Sequence, residues 1–285
     1  MSSLVWGMKK ASQLIQARTS WRSCTGEPIP EYKLKQLHAF VKSKSTGLFQ
    51  QPLRFELVAA QAGDSDELKG LGTYGFIRKP SGFIVGAVER DLDNLEDYGL
   101  LLEDIVLFAT SLGLATCWLG GTFQKDNFSA RINTQPHEVV PAVISVGIGA
   151  NNRNMVDRLI RNVAGSKRRL PPDQLFFEAD GFTPLDMDTL GSWQQVLEMV
   201  RLSPSASNKQ PWRLVKDHEQ IHFFLQRTRG YRKAMFSDLQ RIDMGIAMSH
   251  FWALVQELGL AGSWERITPK NVFPDLWEYT ITWSF

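Results

Sequence analysis

Apolar residues recur along the chain in two rhythms, and the changes of rhythm mark out its elements. Lys9 to about Ala17 reads as a short helix, and Leu34 and Leu37, behind the prolines of GEPIPEYKL, predict a second from about Glu31 to Lys44. PLRFELVAA and GFIVGAVER read as strands, with a polar, glycine-rich irregular stretch from Gly63 to Gly82 between them. From Tyr98 to Gly113 the pattern predicts a long, mostly apolar helix stopped by glycine. VVPAVISVGIGA, residues 139–150, is a continuous run rich in valine and isoleucine, the mark of a buried strand. After a basic stretch over 151–175 the rhythm starts again. A helix is expected over WQQVLEMVRL, a loop from Ser203 to Trp212, and strand, turn, strand over WRLVKDHEQIHFFLQR. A long apolar helix follows over residues 243–258, ended by Gly259, and WEYTITWSF closes the chain as an aromatic, β-branched strand.

This second series repeats the order of the first: helix, loop, strand, strand, long helix, strand. Local sequence agrees. Ser111-Leu112-Gly113-Leu114-Ala115 matches Glu257-Leu258-Gly259-Leu260-Ala261; each follows a long apolar helix and soon meets a tryptophan, Trp118 or Trp264. Gln51-Pro52-Leu53-Arg54-Phe55 matches Gln210-Pro211-Trp212-Arg213-Leu214, each at the start of a strand. The alternative is chance similarity between ordinary helix–loop–strand units. A true repeat makes the chain a fused symmetric dimer, with halves 1–150 and 151–285 forming one compact unit. The expected class is α+β, with helices on both sides of mixed, largely antiparallel sheets. The internal partner would cover the dimerising face, so a monomer is expected.

Composition narrows the function. The 285 residues are 43% hydrophobic and 22% charged, with 32 basic and 30 acidic side chains. That balance points to a globular core and away from nucleic acid or a membrane surface as main partner. Two cysteines, Cys24 and Cys117, make no disulfide framework, and no stretch resembles a signal peptide or a membrane span, so a cytoplasmic location is expected.

Two segments carry the chemistry. SPSASNKQPWRLV, residues 203–215, places a run of small residues (Pro204, Ser205, Ala206, Ser207) where backbone can come close to a flat ring. Asn208 then offers a donor and an acceptor to a heterocycle edge. Arg18-Thr19-Ser20-Trp21-Arg22 sets two guanidinium forks beside hydroxyl groups, a combination suited to phosphate. Taken alone, the first could be an ordinary helix-to-strand loop and the second a solvated helix end. Together they resemble the nitroreductase family of flavoproteins, which carries a Pro-Ser-Ala/Ser, Asn, Gln-Pro-Trp loop and an early Arg-x-Ser-x-Arg/Lys segment. The resemblance covers nearly the whole chain and lies nearest to a single-chain, internally duplicated subgroup.

That resemblance implies a three-layer α-β-α pseudo-dimer binding FMN, reduced by NADH or NADPH, with nitroaromatics or quinones as small-molecule acceptors. Arg18, Thr19, Ser20 and Arg22 would hold the phosphate. Lys167 and Arg169, in KRRLP, match a late basic pair that also reaches it, although such a run can equally be solvated surface. Gly120 and Gly121, in GLATCWLGGTF, would let backbone approach the flavin's reactive nitrogen, or would simply form a turn. The first-half counterpart of the Asn loop, STGLFQQPLRF, lacks its small residues, and the second half has no Arg-x-Ser-x-Arg, its corresponding stretch including the acidic EADGFTPLD. Each half has thus lost a different part, and the surviving parts belong to one composite site. No protein acid, base or nucleophile is required, since the flavin carries the hydride. The rival readings are a degenerate flavin-fold binding protein without redox activity and, as a minor option, a zinc hydrolase using His218 and His222 of HExxH. On strands those histidines would stand roughly 13 Å apart, too far to share a zinc ion. The GxGxxG of residues 70–75 lacks the preceding strand and following helix of a dinucleotide fingerprint.

Overall fold

A computed structural model describes residues 9–60, 68–89, 95–150, 168–231, 237–267, 269 and 273–285. In chain order the elements are α1 (Ala11–Ala17), α2 (Glu31–Lys42), β1 (Leu53–Ala59), β2 (Gly82–Glu89), α3 (Leu95–Ser111), β3 (Ala115–Leu119), α4 (Lys125–Arg131), β4 (Glu138–Val139) and β5 (Val143–Gly147). After them come β6 (Phe176–Glu178), α5 (Ser192–Arg201), β7 (Trp212–Asp217), β8 (Gln220–Gln226), α6 (Leu239–Leu258), β9 (Ser263–Glu265) and β10 (Trp277–Ser284).

Each series of elements builds its own sheet, and the two sheets share one strand order. The first runs β1-β2-β5-β3, with β4 also on β2; the second runs β6-β7-β8-β10-β9. Setting β1 with β7, β2 with β8, β3 with β9 and β5 with β10 makes the orders coincide. All pairings are antiparallel except β6 with β7, so the sheets are α+β in kind and largely antiparallel, as expected. The boundary expected after residue 150 falls against residues 151–167, which lie outside the described residues.

The two long helices cross at the centre. α3 and α6 are apolar around most of their surface and almost wholly buried, which is what a helix enclosed by other elements requires. They meet at glycines. A Cβ at Gly99 would lie 2.1 Å from Ile242 O, and one at Gly245 would lie 1.9 Å from Glu96 O. Each glycine therefore admits the other helix's backbone. The reciprocity continues one turn on: Ser249 Oγ donates to Asp104 Oδ1 (2.8 Å), while His250 Nε2 meets Glu103 Oε1 (3.1 Å). Glu103 and Ser249 hold matching places, as do Asp104 and His250. This i-to-j, j-to-i pattern is that of a two-fold interface, here inside one chain. Both helices stop at glycines of left-handed conformation, Gly113 (φ 72°) and Gly259 (φ 64°).

One core joins the inner faces of both sheets to these helices, with Phe55, Ile84 and Ile144 on one side and Trp212, Phe223 and Trp283 on the other. The outer face of the first sheet is covered by α4, where Phe128 packs edge-on against Phe83. On the outer face of the second sheet Phe224 packs with Phe273, Trp277 and Tyr279, so aromatic side chains from strand and loop provide cover there. Among the described residues no helix is long and apolar enough to cross a membrane.

The differences from the sequence expectations are local. The helix expected over 243–258 begins at Leu239, and that expected from Tyr98 begins at Leu95. The run 139–150 divides into β4 and β5, because Pro141 lacks the N–H a continuous ladder needs. β3, α4, β6 and β9 had no separate signal, being short segments beside glycine-rich or polar chain.

Candidate functional site

A cavity of about 850 Å³ lies between the halves, a size typical of cofactor sites. Arg18, Thr19, Ser20, Arg22, Gly120, Gly121, Arg169, Pro204, Ser205, Ala206, Ser207 and Asn208 all line it. Every candidate residue except Lys167, which lies outside the described residues, is thus brought to one place.

The first wall is set by α1. At its start, Ser12 N and Oγ donate to the Glu257 carboxylate at the end of α6 (2.8 and 2.7 Å). This satisfies an otherwise unpaired N–H and places negative charge at the helix N-terminus. Lys9 Nζ donates to Ser111 O at the end of α3. Helix α1 therefore rests on both central helices and delivers Arg18 to the cavity. The chain then runs extended along β3: Ser20 bridges to Thr116, and Trp21 N donates to Thr116 O (2.8 Å). Arg22 lies against the ring of Phe76, 5.0 Å from its centroid.

The second wall is the loop from Pro204 to Asn208. Its anchor is Asp243 on α6, whose Oδ1 accepts from Ala206 N (2.9 Å). Ser205 Oγ accepts from Gln210 N (2.8 Å), folding the loop back on itself. Ser207 and Asn208 have φ of 51° and 54°, an uncommon conformation for residues other than glycine. Such strain concentrates at binding sites and is tolerated where the surroundings fix it. Ser207 Oγ lies 3.3 Å from the Tyr231 hydroxyl, also in the cavity wall.

Two of these residues also make contacts with protein. Asn208 lines the cavity, but its amide is already engaged by protein: Nδ2 donates to Arg168 O (2.8 Å) and Oδ1 accepts from Arg169 (3.3 Å). Its polar edge therefore braces the 168–169 segment, where a free edge for a heterocycle was expected. Gly120 lies against α6, where a Cβ would come 2.7 Å from Leu239 Cδ1.

Electrostatics define what the cavity accepts. Three guanidinium groups line it, those of Arg18, Arg22 and Arg169. Burial, with the charges of Arg18 and Arg201 beside it, pushes the Arg169 pKa down to about 10. The one carboxyl group among the described lining residues is Asp243. Burial holds it well above the usual carboxylate range, with the charge of Asp238 adding to the effect and the Ala206 N–H opposing it. Burial thus favours the neutral form of Asp243, and the three guanidinium groups give the cavity wall a basic character. A phosphate at this end and a flat, largely apolar ring against the small-residue loop, Ile242 and Ile246 fit the residues present.

Sequence reasoning missed Asp243, Trp118, Tyr231, Leu239, Ile242 and Ile246 as wall residues. Asp243 had a findable signal. Extending the Leu-Gly-Leu-Ala match backward along the helices pairs it with Asp97, each two residues before a crossing glycine. Tyr231 had none. Cys117, read as packing, is buried and also lines the cavity. His250 is the buried, hydrogen-bonded histidine expected. His218 sits exposed in the β7–β8 turn, while His222 is buried in β8 with Nδ1 2.7 Å from Thr282 Oγ1. Among the described residues no group of three or more His, Cys, Asp or Glu is placed to hold a metal ion.

Comparison with known proteins gives the fold its relatives. A family model described as "Putative TM nitroreductase" matches residues 10–255. The structure of a "putative nitroreductase" from Thermotoga maritima aligns over 98% of this chain and 94% of its own, at 18% identity and a TM-score of 0.62. A nitroreductase family protein from Clostridium difficile covers 59% of this chain and 96% of its own at 18% identity (TM-score 0.42). A "putative nitroreductase" in complex with FMN from Desulfovibrio desulfuricans covers 54% and 96% at 22% identity (TM-score 0.38). Among curated proteins, none matches. The fold is that of the nitroreductase class. Within it, the chain belongs to the TM nitroreductase family whose model it matches over most of its length.

Proposed function

We propose that this protein is an FMN-dependent NAD(P)H oxidoreductase that holds one FMN per chain between its halves and reduces nitroaromatic or quinone-type acceptors. The observation that carries the reading is the make-up of the cavity wall: three guanidinium groups from two distant segments line it, and the one carboxyl among the described lining residues is buried and held well above the usual carboxylate range. A cavity so charged suits a dianionic phosphate.

When bound, FMN supplies the redox chemistry, taking hydride from NADH or NADPH and passing it to the acceptor. The chain's own residues bind and orient. Arg18, Arg22 and Ser20 hold the phosphate, with Arg169 adding charge from the second half. The loop from Pro204 to Asn208 presents small side chains to the ring, held in place by Asp243. The Ser207 and Tyr231 hydroxyls stand ready to hydrogen-bond an acceptor's oxygen, and Ile242, Ile246 and Trp118 limit water. The reading also makes the protein a monomer, because α3 and α6 already bury each other's crossing face.

Titration with FMN, followed by flavin fluorescence, tests this. Saturation at one FMN per chain is expected, with Arg18→Gln weakening binding by about tenfold or more. No binding at high FMN concentration would leave the fold intact and favour a flavin-fold protein that binds something else.

A further inference from the structure

Glu103 lies on α3, wholly buried and behind the cavity wall. Three elements bring a donor to it. Trp118 Nε1, from β3, donates to Oε2 (2.7 Å). His250 Nε2, from α6, meets Oε1 (3.1 Å). Arg18 Nε, just past the end of α1, stands 3.7 Å from the same oxygen. That is ion-pair distance, and Nε makes no hydrogen bond. The other ring nitrogen of His250, Nδ1, lies 2.9 Å from Met199 O. A carbonyl only accepts, so a hydrogen bond there puts the ring proton on Nδ1. The Arg18 side chain is only 7% exposed, yet it forms part of the cavity wall.

We propose that Glu103, steadied by His250 and Trp118, is the positioning residue for Arg18, and that it gives the site its preference for phosphorylated flavin over riboflavin. The inference rests on the FMN reading above and deepens it. A buried guanidinium needs a counter-charge before any ligand arrives. Glu103 provides one on the Nε side, which leaves the two terminal nitrogens for a ligand in the cavity. Such an arm is preorganised: binding phosphate requires no search among side-chain rotamers. Because Glu103 is on α3 and His250 on α6, the aim of this first-half arginine depends on how the two halves are packed.

The test compares FMN and riboflavin binding to the unmodified protein, Glu103→Gln, Arg18→Gln and the double variant, with thermal unfolding as a check on folding. Glu103→Gln should weaken FMN about tenfold and leave riboflavin within about twofold, since only one ligand carries the phosphate. The double variant should bind FMN no worse than Arg18→Gln alone, because the two residues act as a unit. Equal loss for both flavins, no loss for FMN, or additive losses would overturn the proposal. If Glu103→Gln does not fold, His250→Gln must show a smaller loss with the same selectivity for phosphate, and an unselective loss there counts against it. No FMN binding by the unmodified protein would overturn the functional reading as well. Binding without selectivity in the variants would overturn this inference alone.

Discussion

The two ends of the helix crossing are built to one plan and finished differently. Asp97 and Asp243 hold the same position on α3 and α6, and each accepts from the backbone of its own half's loop. Asp97 accepts from two N–H groups, of Leu48 and Phe49. Asp243 accepts from one, and its Oδ2 is buried without a hydrogen bond. Where the second half has Asn208, the first has Phe49; where the first has Gly120, the second has Arg266. The Arg266 guanidinium lies 4.5 Å from the centroid of the Phe49 ring. A ring and a long cation thus fill the corner whose counterpart is lined by small residues and left open. Helices that bury each other must keep their glycines, because each glycine admits the partner's backbone. Loops carry no such demand, so one corner can fill while the frame around it keeps its symmetry.

The severest way to break the comparison is at the crossing itself. The atoms an added methyl would meet are backbone, so no side chain can swing aside. Gly99→Ala and Gly245→Ala should each cost about 3 kcal/mol or more in denaturant unfolding, and by similar amounts if the ends are copies. A variant as stable as the unmodified protein would contradict the crossing.

Next in size is the charge on Asp97, whose pKa burial raises from 3.8 to about 6 against the opposing backbone N–H groups of Phe49 and Leu48. Its folded pKa lies above its unfolded one, so protons bind the folded state more tightly. The stability this group contributes is present below about pH 4 and is lost as pH rises through 6. Asp97→Asn removes that titration. Relative to the unmodified protein, the variant should gain about 2–3 kcal/mol between pH 4 and pH 7. A difference that does not change with pH would show that Asp97 is not what titrates.

The smallest effect separates the paired tryptophans. Trp118 donates to Glu103, whereas the buried Trp264 Nε1 has no partner and its ring packs with Phe223, Phe251 and Trp283. Trp118→Phe and Trp264→Phe delete the same volume. The first should therefore cost about 1–2 kcal/mol more, the worth of a buried hydrogen bond to a carboxyl. Equal losses would mean that the bond to Glu103 contributes nothing net.

Much of this architecture could be read from the chain before its structure, and the reasons are physical. α3 and α6 are long and apolar and end in glycine, so their existence and stops were plain. The small-residue loop and the Arg-x-Ser-x-Arg segment are local patterns, and local patterns survive without knowledge of the fold. What escaped was tertiary. Gly120 lines the cavity, but the packing of Leu239, from a distant helix, against it had no local signal. Asn208 looked free to bind, but its amide is engaged by a segment 39 residues earlier in the chain. Asp243 sat unnoticed in an apolar run because the loop it anchors is not its sequence neighbour.

The reciprocal glycines carry a consequence for how the cavity behaves on dilution. In a site shared by two separate subunits, mass action governs whether the walls stand together, and low concentration can pull them apart. Here both walls belong to one covalent chain, with α3 and α6 tethered at a fixed effective concentration. Assembly of the cavity is therefore unimolecular, and its affinity for any ligand should be the same whether the protein is scarce or abundant.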